Sequence, residues 1–178
     1  AKDNLTEGFL HLPMQDLPDL KDGLAPYYYD WMMHPEYDEY WKRLSIEESH
    51  SDIAVPAFNI GGWHDIFLGG TVRNFMRMRQ MGANEAARNG QKLLIGPWTH
   101  SGMPASLSGQ YDFGTRSSAA AVDLQGLILR YHDYYLKGED TGLMDEKPVR
   151  IFVMGENVWR DEDEWPLQRA REVRYYLH

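Results

Sequence analysis

The chain has 178 residues, 43% hydrophobic, 25% charged and 13% aromatic, which is enough apolar material for a packed domain and too much for a disordered tail. It contains no cysteine, which excludes disulfides, a cysteine nucleophile, Cys-ligated zinc and iron–sulfur clusters. The formal net charge of −9 argues against nucleic acid or an anionic membrane surface as partner.

Residues 1–50 hold eleven acids and four Lys/Arg, a net −7, whereas the rest of the chain is nearly balanced. A module boundary is therefore expected just before 52–56. Pro13, Pro18, Gly23 and Pro26 punctuate an irregular first stretch that Tyr27-Tyr28-Tyr29 ends. Residues 34–48 predict a helix with Pro35 in its first turn. Tyr37, Tyr40, Trp41 and Leu44 recur along one helical face of it.

From Val55 the pattern changes. Residues 55–60 are short and mostly apolar, a buried strand ended by Gly61-Gly62. A helix follows over 68–81, with Val72, Phe75 and Met76 inward, Arg73, Arg77 and Arg79 mostly outward, and Gly82 as its stop. Residues 92–95 form a second buried strand, stopped by Gly96-Pro97. The Ser-, Gly- and Pro-rich stretch 99–118 reads as a long loop, a length that often carries function. A third helix over 119–136 places Leu124, Leu127, Ile128, Tyr131 and Tyr135 on one side, and Gly138 ends it. Residues 149–154 give a third strand, 158–171 a charged irregular tail, and 173–177 a final strand. Apolar strands alternating with helices indicate an α/β fold, a parallel sheet covered by helices. Three strands make a thin sheet, so at least one edge is expected to lie open or to join strands from elsewhere. Such an edge leads to an expectation of self-association.

Two strand ends carry the candidate chemistry: Gly61-Gly62-Trp63-His64-Asp65 and Gly96-Pro97-Trp98-Thr99-His100. Ligands of open parallel sheets sit beyond the carboxyl ends of the strands. An acid followed later in the chain by a histidine is the second and third part of the α/β-hydrolase triad. In that chemistry His100 takes the nucleophile's proton and returns it to the leaving group, and Asp65 fixes the imidazole tautomer. The plainer alternatives are that Asp65 caps the next helix and that His100 is a solvated loop residue. No serine of the chain stands in G-x-S-x-G between a strand and a helix, so the residues describe half of a site; Ser101, beside His100, is the fallback nucleophile. Trp31, Trp41, Trp63 and Trp98 line a pocket or fill core. The acidic run 161–164 is a solvated face or a cation holder. The seven histidines make no helical metal pair, so no metal is expected; a metal-dependent hydrolase on His64 and His100 ranks far lower. No dinucleotide or phosphate loop is present, and no cofactor is implied. No apolar run reaches the roughly eighteen residues of a membrane helix. No signal-peptide pattern opens at Ala1. A cytoplasmic location is favoured, any signal ahead of Ala1 lying outside this sequence.

Several segments together resemble one family. They are His34-Pro35-Glu36-Tyr37-Asp38-Glu39-Tyr40-Trp41, Gly61-Gly62-Trp63-His64-Asp65-Ile66-Phe67, Leu94-Ile95-Gly96-Pro97-Trp98-Thr99-His100, Asp112-Phe113-Gly114 and Tyr135-Leu136-Lys137-Gly138. Pro148-Val149-Arg150-Ile151-Phe152-Val153-Met154-Gly155-Glu156-Asn157-Val158-Trp159-Arg160 and Trp165-Pro166-Leu167 complete the series. In this order they resemble the cocaine esterase and X-prolyl dipeptidyl-peptidase family of serine hydrolases, which includes α-amino acid ester hydrolases and cephalosporin acylases. The resemblance implies that Asp65 is the triad acid, His100 the triad base, and Phe67 a residue of the acyl pocket; Trp63 and Trp98, at the same strand ends, are the further pocket candidates. It implies a small ester or short peptide as substrate. It also implies that residues 1–50 are the end of a helical cap, 51–172 the C-terminal half of an α/β-hydrolase core, and 173–178 the start of a jelly-roll. The nucleophile serine and oxyanion hole belong to the family's first core half, which this sequence does not contain.

Overall fold

The computed structural model describes residues 8, 10–17, 20, 24–101 and 106–177. The chain divides into two compact units, 1–48 and 49–178.

In the first unit, Pro26–Met33 forms helix α1, so Tyr27-Tyr28-Tyr29 begins an element rather than ending an irregular stretch. Pro26 stands at its first turn, where its missing N–H is no loss. The long helix expected over 34–48 is replaced by one turn, α2 (Glu39–Lys42), and a 3-10 turn, Ile46–Glu48. Pro35 disfavours helical backbone at His34, which sits at φ −119° and ψ 66°. Asp38 then starts the helix late by accepting the Tyr40 N–H. Asp38 Oδ2 also lies 2.5 Å from His34 Nδ1, and that hydrogen bond holds the Asp38 carboxyl below its usual range. Tyr37 and Leu44 are exposed while Tyr40 and Trp41 are half-buried, so only the middle of the predicted helical face is covered.

The second unit is an α/β layer structure. Its sheet runs β1 (Phe58–His64), β2 (Lys92–Thr99), β5 (Val149–Val153), β6 (Val158–Glu162) in spatial order. The first three strands are parallel and β6 returns antiparallel. Helix α3 (Leu68–Met81) occupies the predicted bounds, with Phe75 and Met78 buried. A short helix α4 (Glu85–Asn89) follows, capped by Asn84, whose side chain accepts the Ala87 N–H. Helix α5 (Leu124–His132) begins five residues later than the periodicity suggests, because Asp123 caps it by accepting the Gly126 N–H. A π-helical turn, Asp133–Lys137, extends it to Gly138, whose φ of +72° closes the element. The loop after β2 carries a small hairpin, β3 (Leu107–Ser108) and β4 (Tyr111–Asp112).

Alternation along the strands sorts the core onto the two faces of the sheet. Phe75, Leu93, Ile95, Val149 and Ile151 pack together, with Trp63, Val72, Met76 and Trp165 against them. Leu94, Trp98 and Ala119 form the other layer, with Phe58, Ile60, Leu124 and Trp159.

Three expectations are corrected here. β1 and β2 pass through their glycines instead of stopping at them. A Cβ on Gly62 would lie 2.2 Å from the Trp98 carbonyl oxygen, and one on Gly96 would strike the Trp98 ring. These glycines permit close approach rather than a turn. The charged tail begins with a strand, β6, whose Arg150–Asp161 ion pair across to β5 supports the pairing. Residues 173–177 form no strand and are exposed. β1 has one strand neighbour among the described residues and is an edge. No described helix is long and apolar enough to cross a membrane.

Candidate active site

β1 and β2 lie side by side and parallel, so the residues that follow their carboxyl ends meet. The register jumps between Gly62↔Gly96 and His64↔Thr99, a bulge that accommodates Pro97 in an interior strand. Beyond it the chain turns sharply. The Asp65 N–H donates to the Gly62 carbonyl at 3.0 Å, and the Leu68 N–H to the Asp65 carbonyl at 3.1 Å. Asp65 Oδ1 accepts the Phe67 N–H at 2.8 Å. This fixes the carboxylate before α3 begins. The N-cap of α3 is Phe67, not Asp65.

His100 is the first residue after β2. Its Nδ1 lies 3.2 Å from Asp65 Oδ1 and 3.4 Å from Oδ2. The Asp65 side chain is 10% exposed and that of His100 57%. The acid is thus sheltered and the imidazole open to a reactant. A carboxylate facing Nδ1 places the imidazole proton there and leaves Nε2 with its lone pair, the form that can accept a proton from a hydroxyl. The Phe67 ring stands edge-on to His100, 4.8 Å away at 83°, and is itself exposed. Asp65, Phe67 and His100 therefore form one cluster.

The two strand-end tryptophans lie elsewhere. Trp98 is 0% exposed, with its Nε1–H donated to the Ser117 carbonyl at 2.8 Å. It is core, and the pocket reading does not describe it. Trp63 donates its Nε1–H to the Phe152 carbonyl at 2.7 Å and packs near Trp165, bracing β1 against the end of β5. Trp31 and Trp41 belong to the first unit, 6.2 Å apart. A small recess of about 30 Å³ lies at the opposite, amino-terminal edge of the sheet, lined by Phe58, Lys92, Leu127, Glu146 and Arg150 among others. There burial holds the Lys92 ammonium below its usual range, and its Nζ donates to the Glu146 carbonyl. Among the described residues no cluster of three His, Asp or Glu side chains is placed to hold a metal ion.

One contact beside the cluster has no cue in the sequence. Ser108 Oγ, on β3, lies 2.5 Å from Nδ1 of His64, the residue before Asp65. Ser108 sits in a stretch without hydrophobic period, so no pattern singles it out.

The family model of X-Pro dipeptidyl-peptidases (S15 family) matches residues 6–102. The chain is 32% identical over 166 residues to the cocaine esterase of Rhodococcus sp. (strain MB1 Bresler), covering 93% of this chain and 27% of that protein. Among solved structures, an α-amino acid ester hydrolase superposes with a TM-score of 0.65 at 24% identity, covering 82% of this chain and 23% of that one. An aminopeptidase from a marine sediment Thaumarchaeota archaeon gives 0.62 at 20% identity, covering 82% and 24%. The two structural likenesses speak to the fold. The chain spans about a quarter of the length of each of these relatives.

Proposed function

The chain belongs to the X-Pro dipeptidyl-peptidase (S15) family, and from that premise we propose that it supplies the acid and base of a serine hydrolase acting on carboxylic esters, amides or X-Pro peptides. The observation that carries this reading is the Asp65–His100 pair at 3.2 Å, formed at the carboxyl ends of two adjacent parallel strands. In the reaction a serine attacks the acyl carbonyl and His100 Nε2 takes its proton. His100 then returns that proton to the leaving alcohol or amine, and water reverses the sequence on the acyl-enzyme. Asp65 holds Nδ1–H and stabilises the imidazolium. Phe67, edge-on to the base, lines the acyl side. An amine in place of water gives acyl transfer at the same site. The serine comes from polypeptide outside these 178 residues, consistent with the absence of a G-x-S-x-G elbow and with the quarter-length match.

The test is direct. The 178-residue chain alone should hydrolyse p-nitrophenyl butyrate no faster than a histidine-containing control protein and should take no fluorophosphonate label. Joined to a segment bearing the serine elbow, it should be labelled, and His100→Ala should cut labelling and turnover by several orders of magnitude. A loss below about tenfold removes His100 as base. A lone chain that turns over ester and is labelled moves the nucleophile to a loop serine, with Ser101 first. The open edge of β1 supports a second reading, a non-catalytic piece that completes its sheet with a partner chain. That reading requires that no joined form be labelled.

A further inference from the structure

The hairpin β3–β4 is fastened to the residue before Asp65. Ser108, 6% exposed, places Oγ 2.5 Å from His64 Nδ1. The Phe113 ring, just past the hairpin, stacks on the His64 ring at 5.9 Å and 29°, and meets Phe152 edge-on at 6.2 Å. The Phe113 N–H donates to the Ser106 carbonyl at 3.0 Å, which closes the hairpin's base. The chain that leaves β2 through His100 thus returns to the end of β1 and is tied there.

We propose that Ser108, His64 and Phe113 are positioning residues that hold His100 against Asp65. The inference rests on the acid–base reading above. His100 is more than half exposed, and its contacts of 3.2 and 3.4 Å to Asp65 are longer than the roughly 2.7–2.9 Å of a tight charge-assisted bond. Such a pair does not fix the loop on its own. β2 fixes the backbone before His100, and the clamp, through His64, holds the residue that precedes Asp65. The chemistry of the clamp suits its neighbour. A serine hydroxyl donates to Nδ1 of neutral His64 and accepts from the imidazolium, so the link survives protonation of His64. A carboxylate in place of Ser108 would instead face His64 Nδ1 and hold a proton there. When neutral, His64 accepts at Nδ1 and carries its proton on Nε2, whereas His100 donates at Nδ1 and leaves Nε2 bare. Two neighbouring imidazoles therefore hold opposite tautomers.

Long-range ¹H–¹⁵N spectra of the 178-residue chain, recorded above the imidazole titration range, read those tautomers directly. In the unaltered chain His100 should be mainly the Nδ1–H form and His64 the Nε2–H form. Ser108→Ala should move His100 to the tautomer mixture of a free imidazole, with amide shifts of residues 58–61 and 149–151, away from the clamp, unchanged. His64→Phe, which keeps a ring for Phe113 to stack on, is the second break and should do the same. His64→Asn, whose amide reaches the Nδ1 position, should restore the His100 tautomer. An unchanged His100 tautomer in both Ser108→Ala and His64→Phe overturns the clamp. A free-imidazole mixture at His100 in the unaltered chain overturns the clamp together with the pairing it serves. Tautomers that respond as expected, beside a joined form whose labelling ignores His100→Ala, leave the clamp standing and remove the acid–base reading instead.

Discussion

Asp65 serves two partners at once, accepting the Phe67 N–H on Oδ1 and facing His100 Nδ1 with both oxygens. Asparagine separates the two duties. Its carbonyl still accepts the Phe67 N–H, but its amide cannot hold a proton on Nδ1. Asp65→Asn should therefore keep the melting temperature within a few degrees while lowering acylation in the joined enzyme by on the order of 10⁴, the loss seen for the equivalent change in serine proteases. Thermal melts beside fluorophosphonate labelling rates check both halves. A near-normal labelling rate would return Asp65 to a purely structural turn. Asp65 and His100 were legible because each stands just past a short apolar run, where strand topology gives position a meaning. Trp98 stands equally close to a strand end, yet its parity along β2 sends it into the core. Ser108 was illegible because its role depends on where a loop returns, and loop composition does not encode that.

Among the elements, the strands show how the same residues read differently in sequence and in space. Gly-Gly and Gly-Pro usually punctuate, and so each of these two strands appeared to end before its catalytic candidate. Gly62 is there because Trp98 backbone lies against it. Gly62→Ala should force β1 and β2 apart at the bulge, costing about 1–3 kcal/mol as overpacking does, and urea denaturation should show it. β6 escaped notice for the opposite reason, since its charges suit an edge rather than a core. Glu162 is buried there between Arg160 and Arg169, and the Arg169 hydrogen bond holds its carboxyl below the usual range. With the folded pKa below the unfolded one, its contribution is complete above the ordinary glutamate range and is lost as pH falls through the folded value. Glu162→Gln should lower the melting temperature by a few degrees at pH 7, and the gap to the unaltered chain should close in acid. A gap that persists there would assign the effect to packing. The helix predicted over 34–48 failed because a helical period is compatible with a chain that Pro35 and Asp38 interrupt.

At the scale of the molecule, β1 leaves a row of backbone donors and acceptors without a strand neighbour among the described residues. Size-exclusion chromatography with light scattering should show the isolated chain as a dimer or larger species, growing with concentration. A monomer at every concentration would mean that the edge is protected. The sheet order has a further consequence, in time. β2 pairs with β1 soon after it is made, but its other partner is distant, with Leu93 opposite Val149. At roughly 5–20 residues per second, a ribosome needs about 3 to 11 s to supply that strand. For those seconds Leu93, Leu94 and Ile95, the centre of both core layers, belong to a nascent chain with one flank bare. Chaperone capture during synthesis should therefore concentrate on β2 and end when Val149–Val153 clears the exit tunnel.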